Sequence, residues 1–359
     1  MYNFFEFLHK KYFLLVPFIG SLLFLLSEFM SLYTTYRSKT FDDLMEQDTT
    51  KDILKQQVIT GKVNHNYLFF GSRGIGKTSV ARILAKAVNC LNPQWGNPCN
   101  ACANCIAINA GQTMDIIEID AASHTGVDNV REEIIGKAIY SPSMLRKKVY
   151  IIDEVHMLSK GAFNALLKIM EEPPKHLMFI LATTDSHKVP DTIISRCQVF
   201  NFRKITRTGI IARLEFICKA EGLTCEHDGL ELIARLAEWG MRDAVKYLEQ
   251  VSVLWDITAS NVASFLGISP MHIIEWFVKA GVIGDRAVML SLIDEITGQT
   301  IDISNFIKDC LSYLDQEFQQ YHSQAHLITF VDMCKEYLQW ARVISQHGLV
   351  LKQAVMKYY

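Results

Sequence analysis

The stretch Gly71-Ser72-Arg73-Gly74-Ile75-Gly76-Lys77-Thr78 has the G-x-x-x-x-G-K-[ST] spacing of a phosphate-binding loop, and it limits the fold more than any other feature of the chain. Tyr67-Leu68-Phe69-Phe70 before it is a short apolar run of the kind that makes a buried strand. Val80, Ile83, Leu84, Ala87 and Val88 after it fall at helical spacing. Strand, glycine loop and helix are the context the motif requires. The glycines allow a tight turn whose N–H groups approach phosphate oxygens, and the helix N-terminus adds its positive dipole end. Residues Gly71 to Ser79 are the expected nucleotide contacts, with Lys77 on the β and γ phosphates and Thr78 on Mg²⁺.

Three more apolar runs follow, Ile116 to Ile119, Val149 to Ile152 and Met178 to Ala182, alternating with helical segments, and a last one covers Val199 to Phe202. This alternation predicts an α/β fold with a parallel sheet covered on both faces, whose ligands bind at the carboxyl ends of the strands. The second run ends in Asp153-Glu154, the pattern in which an aspartate supports Mg²⁺ and a glutamate polarises the attacking water. The third ends at Thr183-Thr184, where a hydroxyl can sense a γ-phosphate. Arg196, in Ser195-Arg196-Cys197, is on chemical grounds alone first expected to pair with a surface acid.

The chain has nine cysteines among 359 residues, and four of them, Cys90, Cys99, Cys102 and Cys105, make C-x8-C-x2-C-x2-C just after the loop's helix. Two consecutive C-x-x-C steps let three thiolates converge on one tetrahedral ion, and Cys90 supplies the fourth sulfur. The closed sphere predicts a structural zinc with no position for a catalytic water. A net charge of −2 gives no bulk attraction to nucleic acid, so any DNA contact must come from a local patch.

Together these segments, with Ile117-Glu118-Ile119-Asp120-Ala121-Ala122-Ser123, Asp153-Glu154-Val155-His156-Met157-Leu158-Ser159, Phe163-Asn164-Ala165-Leu166-Leu167-Lys168, Leu181-Ala182-Thr183-Thr184-Asp185 and Ser195-Arg196-Cys197, resemble the gamma/tau subunits of the bacterial DNA polymerase III clamp loader. The resemblance covers about Leu32 to Tyr359, is dense from Tyr67 to Phe202 and thins beyond. It implies a P-loop AAA+ core with a five-stranded parallel sheet and a zinc insertion, then a small helical lid and an all-α collar. It implies an ATP-hydrolysing motor in a ring of five, built with copies of itself and with delta-like and delta-prime-like subunits. That ring loads a sliding clamp onto primer-template DNA in the cytoplasmic replisome, and no membrane partner is expected. ATP, Mg²⁺ and structural Zn²⁺ are the implied cofactors.

By the same resemblance Arg196 becomes a finger reaching the γ-phosphate of a neighbouring subunit, which reverses the chemical expectation. Thr184 becomes the first sensor and Arg242 the second, and Lys77, Asp153 and Glu154 complete the catalytic set. An architectural, non-hydrolysing subunit of the delta-prime kind, or another AAA+ remodeller of DNA, are the competing functions. The expected domains are a core over 31–205 with the zinc module at 90–105, a three-helix lid over 206–268 and a helical collar over 269–359. Segments broken at Gly281, Gly284 and Gly298 mark the collar.

Some positions depart from the family pattern. Ser38 replaces a proline in the stretch Tyr33 to Phe41 that borders the nucleotide base, Glu46 replaces a glycine, and Trp239-Gly240 precede Arg242 in place of small residues. His124 and Gly126 stand where basic residues face DNA, although Arg131 remains, so weaker DNA binding with a flatter salt dependence is expected. The first thirty residues carry sixteen uncharged positions, Tyr12 to Ser27, after Lys10-Lys11. A membrane anchor, an apolar helix or a misplaced translation start at Met30 each account for them. The last is preferred because the resemblance begins within two residues of Met30.

Overall fold

The computed structural model describes residues 31–123, 134–253, 256–266, 271–298, 301–321, 325–341 and 346–359. The apolar extension at residues 1–30 and the positions His124, Gly126 and Arg131 lie outside the described residues.

The chain divides into two compact units, one made of residues up to Gly222 together with Ile233–Gln250, the other of Leu223–Leu232 together with Val251–Tyr359. In the first unit, helix α1 (Asp48–Thr60) precedes β1 (Asn66–Phe70). The glycine loop then opens helix α2 (Lys77–Asn89), and the short α3 (Ala103–Asn109) starts at Cys102. Strands β2 (Ile116–Asp120) and β3 (Lys148–Asp153) follow, then α4 (Lys160–Glu171), β4 (Leu177–Thr183) and β5 (Gln198–Asn201). Helix α5 (Arg207–Glu221) comes next, followed by α6 (His227–Leu236), whose residues from Ile233 on belong to this unit, and by α7 (Met241–Ser252), which belongs to it up to Gln250.

All five strands are parallel, in the order β2-β3-β4-β1-β5. The runs read from the sequence for β1 to β4 each extend by one residue at one or both ends, β5 begins and ends one residue before its run, and the covered-sheet expectation holds for the inner strands β1, β3 and β4. Every residue of β4 is buried, as a strand covered on both faces requires. Burying each large side chain there, such as Phe179 or Leu181, stabilises the fold by roughly 1.5–3 kcal/mol. Rings cross from β1 to β5 as well, with Tyr67 stacked on Phe200 at 6.1 Å between centroids and Phe69 edge-on to Phe200 at 5.7 Å.

Because the strands are parallel and in register, their carboxyl ends meet at one rim. Asp120 lies beside Asp153, and Phe70 beside Thr183. The phosphate-binding sequence, the Asp153-Glu154 pair and Thr184 all leave the sheet at that rim.

In the second unit, α8 (Ala259–Leu266) comes first, and helices α9 (Met271–Ile283), α10 (Arg286–Gly298), α11 (Ile303–Gln316), α12 (Leu327–Trp340) and α13 (His347–Tyr358) enclose a core in which Phe277 meets Phe306 and Phe330 edge-on, at 5.1 and 5.9 Å between centroids. Gly284 and Gly298 stand at helix ends, but Gly281 does not break a segment. It lies inside α9, where a Cβ would come within 2.1 Å of the Phe330 ring, so the missing side chain serves close helix packing. No helix of the described residues is long and apolar enough to cross a membrane.

Candidate active site

Three glycines shape the loop after β1, each in the left-handed region, at φ 147° for Gly71, 77° for Gly74 and 102° for Gly76. A Cβ on Gly71 would meet the Phe202 carbonyl oxygen at 2.6 Å, and one on Gly74 would meet the Cα of Gly240 at 3.1 Å. Gly240, a departure noted in the sequence, is thus where the chain before Arg242 passes close against the loop. Trp239 beside it adopts φ 76° and lies under the cations of Lys204 and Arg207, each 5.7 Å from its ring.

Lys77 is 6% exposed, and its Nζ donates to the carbonyls of Gly71 at 2.7 Å and Ser72 at 2.8 Å. Burial pulls its pKa down, while the carboxylates of Glu154 and Asp153 pull it back up. Thr78 Oγ1 donates to Asp153 Oδ2 at 2.8 Å, which joins the first turn of α2 to the end of β3. A hydroxyl and a carboxylate so placed are hard oxygen donors of the kind that hold Mg²⁺ beside phosphates.

Glu154 follows in a left-handed backbone conformation, φ 47° and ψ 44°, uncommon for a residue with a side chain. That turn brings its Oε2 to Thr184, which donates from N at 3.1 Å and from Oγ1 at 2.9 Å. His156 Nδ1 lies 3.3 Å from the same oxygen and 2.9 Å from Thr183 Oγ1.

Lys77, Thr78, Asp153 and Glu154 line a cleft of about 370 Å³ whose other wall is the segment from Tyr33 to Met45, with Arg213, Met241, Arg242 and Val245 closing it. Arg37 Nε donates to Ser79 Oγ at 3.2 Å. The guanidiniums of Arg37 and Arg242 lie 5.6 and 5.4 Å from the Tyr33 ring. Burial holds the Arg37 pKa down, with the positive charges of Arg82 and Arg242 adding to it. Arg242 Nε is buried and has no hydrogen-bond partner among the described residues. Cationic donors on one side of a cleft and Asp120, Asp153 and Glu154 on another form the charge pattern suited to a polyphosphate carrying a divalent ion.

The structure brings Lys77, Thr78, Ser79, Asp153, Glu154 and Arg242 to this cleft and sets Thr184 against Glu154. Arg196 is not among its lining residues. Its guanidinium pairs with Glu171 and donates to the Thr192 carbonyl at 2.6 Å, the surface pairing that chemistry alone favours. Its Nε, however, is buried without a partner among the described residues. Asp120, Asp43, Arg37 and Arg213 are cleft residues to which the sequence assigned no individual role. For Asp120 the strand-end rule carried the signal, whereas Arg213 arrives from α5 and had none.

Glu46, in place of a glycine, keeps a glycine's backbone at φ 56°, and its Oε1 accepts the Thr206 N–H at 3.0 Å, so the substituted side chain secures the entry to α5.

The four cysteines after α2 converge, with their sulfurs all within 4.8 Å of one another. Zinc–sulfur bonds of about 2.3 Å imply tetrahedral edges of roughly 3.8 Å, so small movements close the shell. The N–H groups of Cys99 and Cys102 donate to Cys90 Sγ and Cys99 Sγ at 3.3 Å each, the hydrogen bonding that steadies thiolate charge. The donor set fits a structural zinc.

A glycine loop opening a helix, on a five-stranded parallel sheet of order β2-β3-β4-β1-β5 with an acidic pair at the end of β3, defines a P-loop nucleotide-binding protein of the AAA+ class. The family model described as DNA polymerase III, delta subunit matches residues 46–206, and that described as DNA polymerase III clamp loader subunit, ATPase lid domain matches residues 209–252. The chain is 45% identical over 290 residues to DNA polymerase III subunit tau of Bacillus subtilis, covering 79% of this chain and 51% of that one. It is 38% identical over 283 residues to DNA polymerase III subunit gamma of Buchnera aphidicola, covering 78% and 76%. Among solved structures, the Thermotoga maritima RuvB Holliday junction branch migration motor aligns at TM-score 0.48 and 19% identity, over 72% of this chain and 85% of that one. The chain belongs to the gamma/tau family of DNA polymerase III subunits. It spans about half the length of the Bacillus subtilis relative it matches.

Proposed function

We propose that this chain is an ATP-hydrolysing motor subunit of a DNA polymerase III clamp loader, which places a sliding clamp on primed DNA. The observation that carries the proposal is the 2.8 Å bond between Thr78 Oγ1 and Asp153 Oδ2, which ties the phosphate-binding helix to the acidic strand end beside buried Lys77. An architectural subunit has no need for that complete set.

In this mechanism the loop N–H groups and Lys77 hold the β and γ phosphates, and Thr78 with Asp153 holds Mg²⁺, which when bound neutralises phosphate charge. Glu154 orients and polarises the attacking water, with Thr184 setting its carboxylate. Arg242 contributes its orphaned Nε from the lid side of the same cleft. Arg196 acts across a subunit boundary, leaving Glu171 to stabilise charge in a neighbour's transition state. The four cysteines keep a structural zinc outside the chemistry. Residues 206–268 serve as lid and 269–359 as the collar of a five-membered ring with delta-like and delta-prime-like partners. Such a replication particle belongs in the cytoplasm.

The test is steady-state ATP hydrolysis by the reconstituted complex with and without clamp and primed DNA. Stimulation by both is expected. No turnover under any condition would leave the architectural role in its place.

A further inference from the structure

Asn97, 8% exposed, sits in the cysteine-bearing loop two residues before Cys99. Its Oδ1 accepts the Phe41 N–H at 2.9 Å, and its Nδ2 donates to Asp42 Oδ2 at 2.7 Å. Phe41 is fully buried. Both partners belong to the segment that walls the nucleotide cleft. The next residue, Asp43, lines the cleft itself and gathers the segment by accepting the Lys39 and Thr40 N–H groups at 2.9 and 2.8 Å.

The loop that carries Asn97 is held on its far side by the cysteine cluster, where the Cys99 N–H donates to Cys90 Sγ. Gln94 and Asn97 exchange backbone hydrogen bonds at 2.9 and 2.8 Å, and Gly96 passes so close to α1 that a Cβ would lie 2.6 Å from the Lys55 carbonyl oxygen. A second tie reaches the phosphate-binding helix, where Lys86 Nζ donates to Asn109 Oδ1 at 3.0 Å and Asn104 Nδ2 donates to the Asn89 carbonyl at 2.8 Å. One side chain thus spans from the metal-binding loop to the wall of the cleft.

We infer that Asn97 is a positioning residue that couples the zinc held by Cys90, Cys99, Cys102 and Cys105 to the nucleotide site, so that filling either site tightens the other. The inference rests on the nucleotide reading of the cleft. Four sulfurs closed on one ion fix the loop, and the fixed loop presents the amide of Asn97 to Phe41 and Asp42. Without the ion the loop loses its anchor, and a buried N–H at Phe41 loses its acceptor, which loosens the wall opposite the phosphate-binding loop. The coupling must be reciprocal, because two ligands that favour one arrangement of a shared element raise each other's affinity by one factor.

The experiment titrates a fluorescent ATP analogue, in excess Mg²⁺, into the full-length wild-type chain, Asn97→Ala, Asn97→Asp and Lys77→Ala, each before and after treatment with a chelator selective for zinc. Asn97→Asp keeps the acceptor for Phe41 but sets a carboxylate against Asp42, so it tests the contact should Asn97→Ala fail to fold. Both Asn97 variants are expected to keep one zinc per chain and to bind the analogue about tenfold more weakly, as for a lost buried hydrogen bond. Stripping zinc should weaken the wild type similarly and the Asn97 variants little further. Saturating nucleotide should raise the chelator concentration needed to remove half the zinc from the wild type, but not from Asn97→Ala. Wild-type affinity in the Asn97 variants and in the stripped protein, with affinity lost in Lys77→Ala, overturns the coupling while sparing the cleft. Undiminished affinity in Lys77→Ala overturns the nucleotide reading and the coupling with it.

Discussion

Thr184 holds Glu154 twice on one oxygen, from its backbone N–H at 3.1 Å and its hydroxyl at 2.9 Å, so the end of β4 sets the aim of a carboxylate that leaves β3. Glu154 reaches that oxygen position only through a left-handed turn. Two strand ends and one unfavourable backbone conformation are therefore committed to a single acceptor atom, as expected of a group whose direction matters.

Removing the hydroxyl alone separates aim from affinity. Thr184→Ala keeps the backbone N–H, and is expected to lower kcat by about 10- to 100-fold, the worth of one hydrogen bond to a charged group, with nucleotide affinity near wild type. Single-turnover hydrolysis beside equilibrium nucleotide binding checks this. A parallel fall in affinity would mean that Thr184 touches the nucleotide and does not act through Glu154.

Arg196 and Lys77 should fail in different ways. Arg196→Ala is expected to cut turnover of the assembled particle by about 10³-fold or more, while the isolated subunit still binds nucleotide. Lys77→Ala should lose binding in the isolated subunit. Equal binding loss in both variants would refute the assignment of Arg196 to a neighbour's site.

The cysteine cluster predicts about one zinc per chain by metal analysis, lost in Cys102→Ser. Cys102 is also the N-cap of α3, its sulfur accepting the Cys105 N–H. Serine is a favourable N-cap, so the helix start survives and the fall in melting temperature reports the metal. Full zinc content in Cys102→Ser would remove this cysteine from the ligand set.

Acid should find Asp115. Its carboxylate is 2% exposed and accepts the N–H groups of Ser143, Met144 and Leu145 at 2.8, 2.8 and 2.9 Å. Burial raises its pKa, but these hydrogen bonds outweigh burial and hold it below the ordinary 3.8. With a depressed folded pKa, its stabilisation is present in full above pH 3.8 and is lost as pH falls through the folded value. Asp115→Asn is expected to cost about 1–3 kcal/mol at neutral pH in denaturant unfolding, with the gap to wild type narrowing in acid. A gap constant down to the acid transition would contradict this.

Much of the cleft was legible in the sequence because its chemistry uses neighbours in the chain. Lys77-Thr78 follow a strand by a fixed turn, and Asp153-Glu154 end another, so spacing alone placed them. The four cysteines were legible for the same reason. What stayed hidden depends on distance along the chain, as in Arg37 on Ser79, 42 residues apart, or Asn97 on Phe41, 56 apart. No local period records such a pairing. Gly281 was misread as a break because a glycine that makes room for Phe330 and one that ends a helix look alike until the partner is seen. That Arg196 would meet a surface acid, here Glu171, followed from ordinary side-chain chemistry, while the proposal that it acts across a boundary came only with the family.

The single direction of all five strands has a cost in mutational tolerance. Deleting one residue from Val149 to Ile152 would leave β3 hydrophobic enough to stay between β2 and β4, yet would turn every later side chain to the opposite face. Asp153 would then swing away from Thr78 although composition and pairing were almost unchanged. Because Val149 to Ile152 are fully buried, the same deletion would also disturb the packing on both faces of the sheet, so the site and the core beneath it would be lost in one lesion.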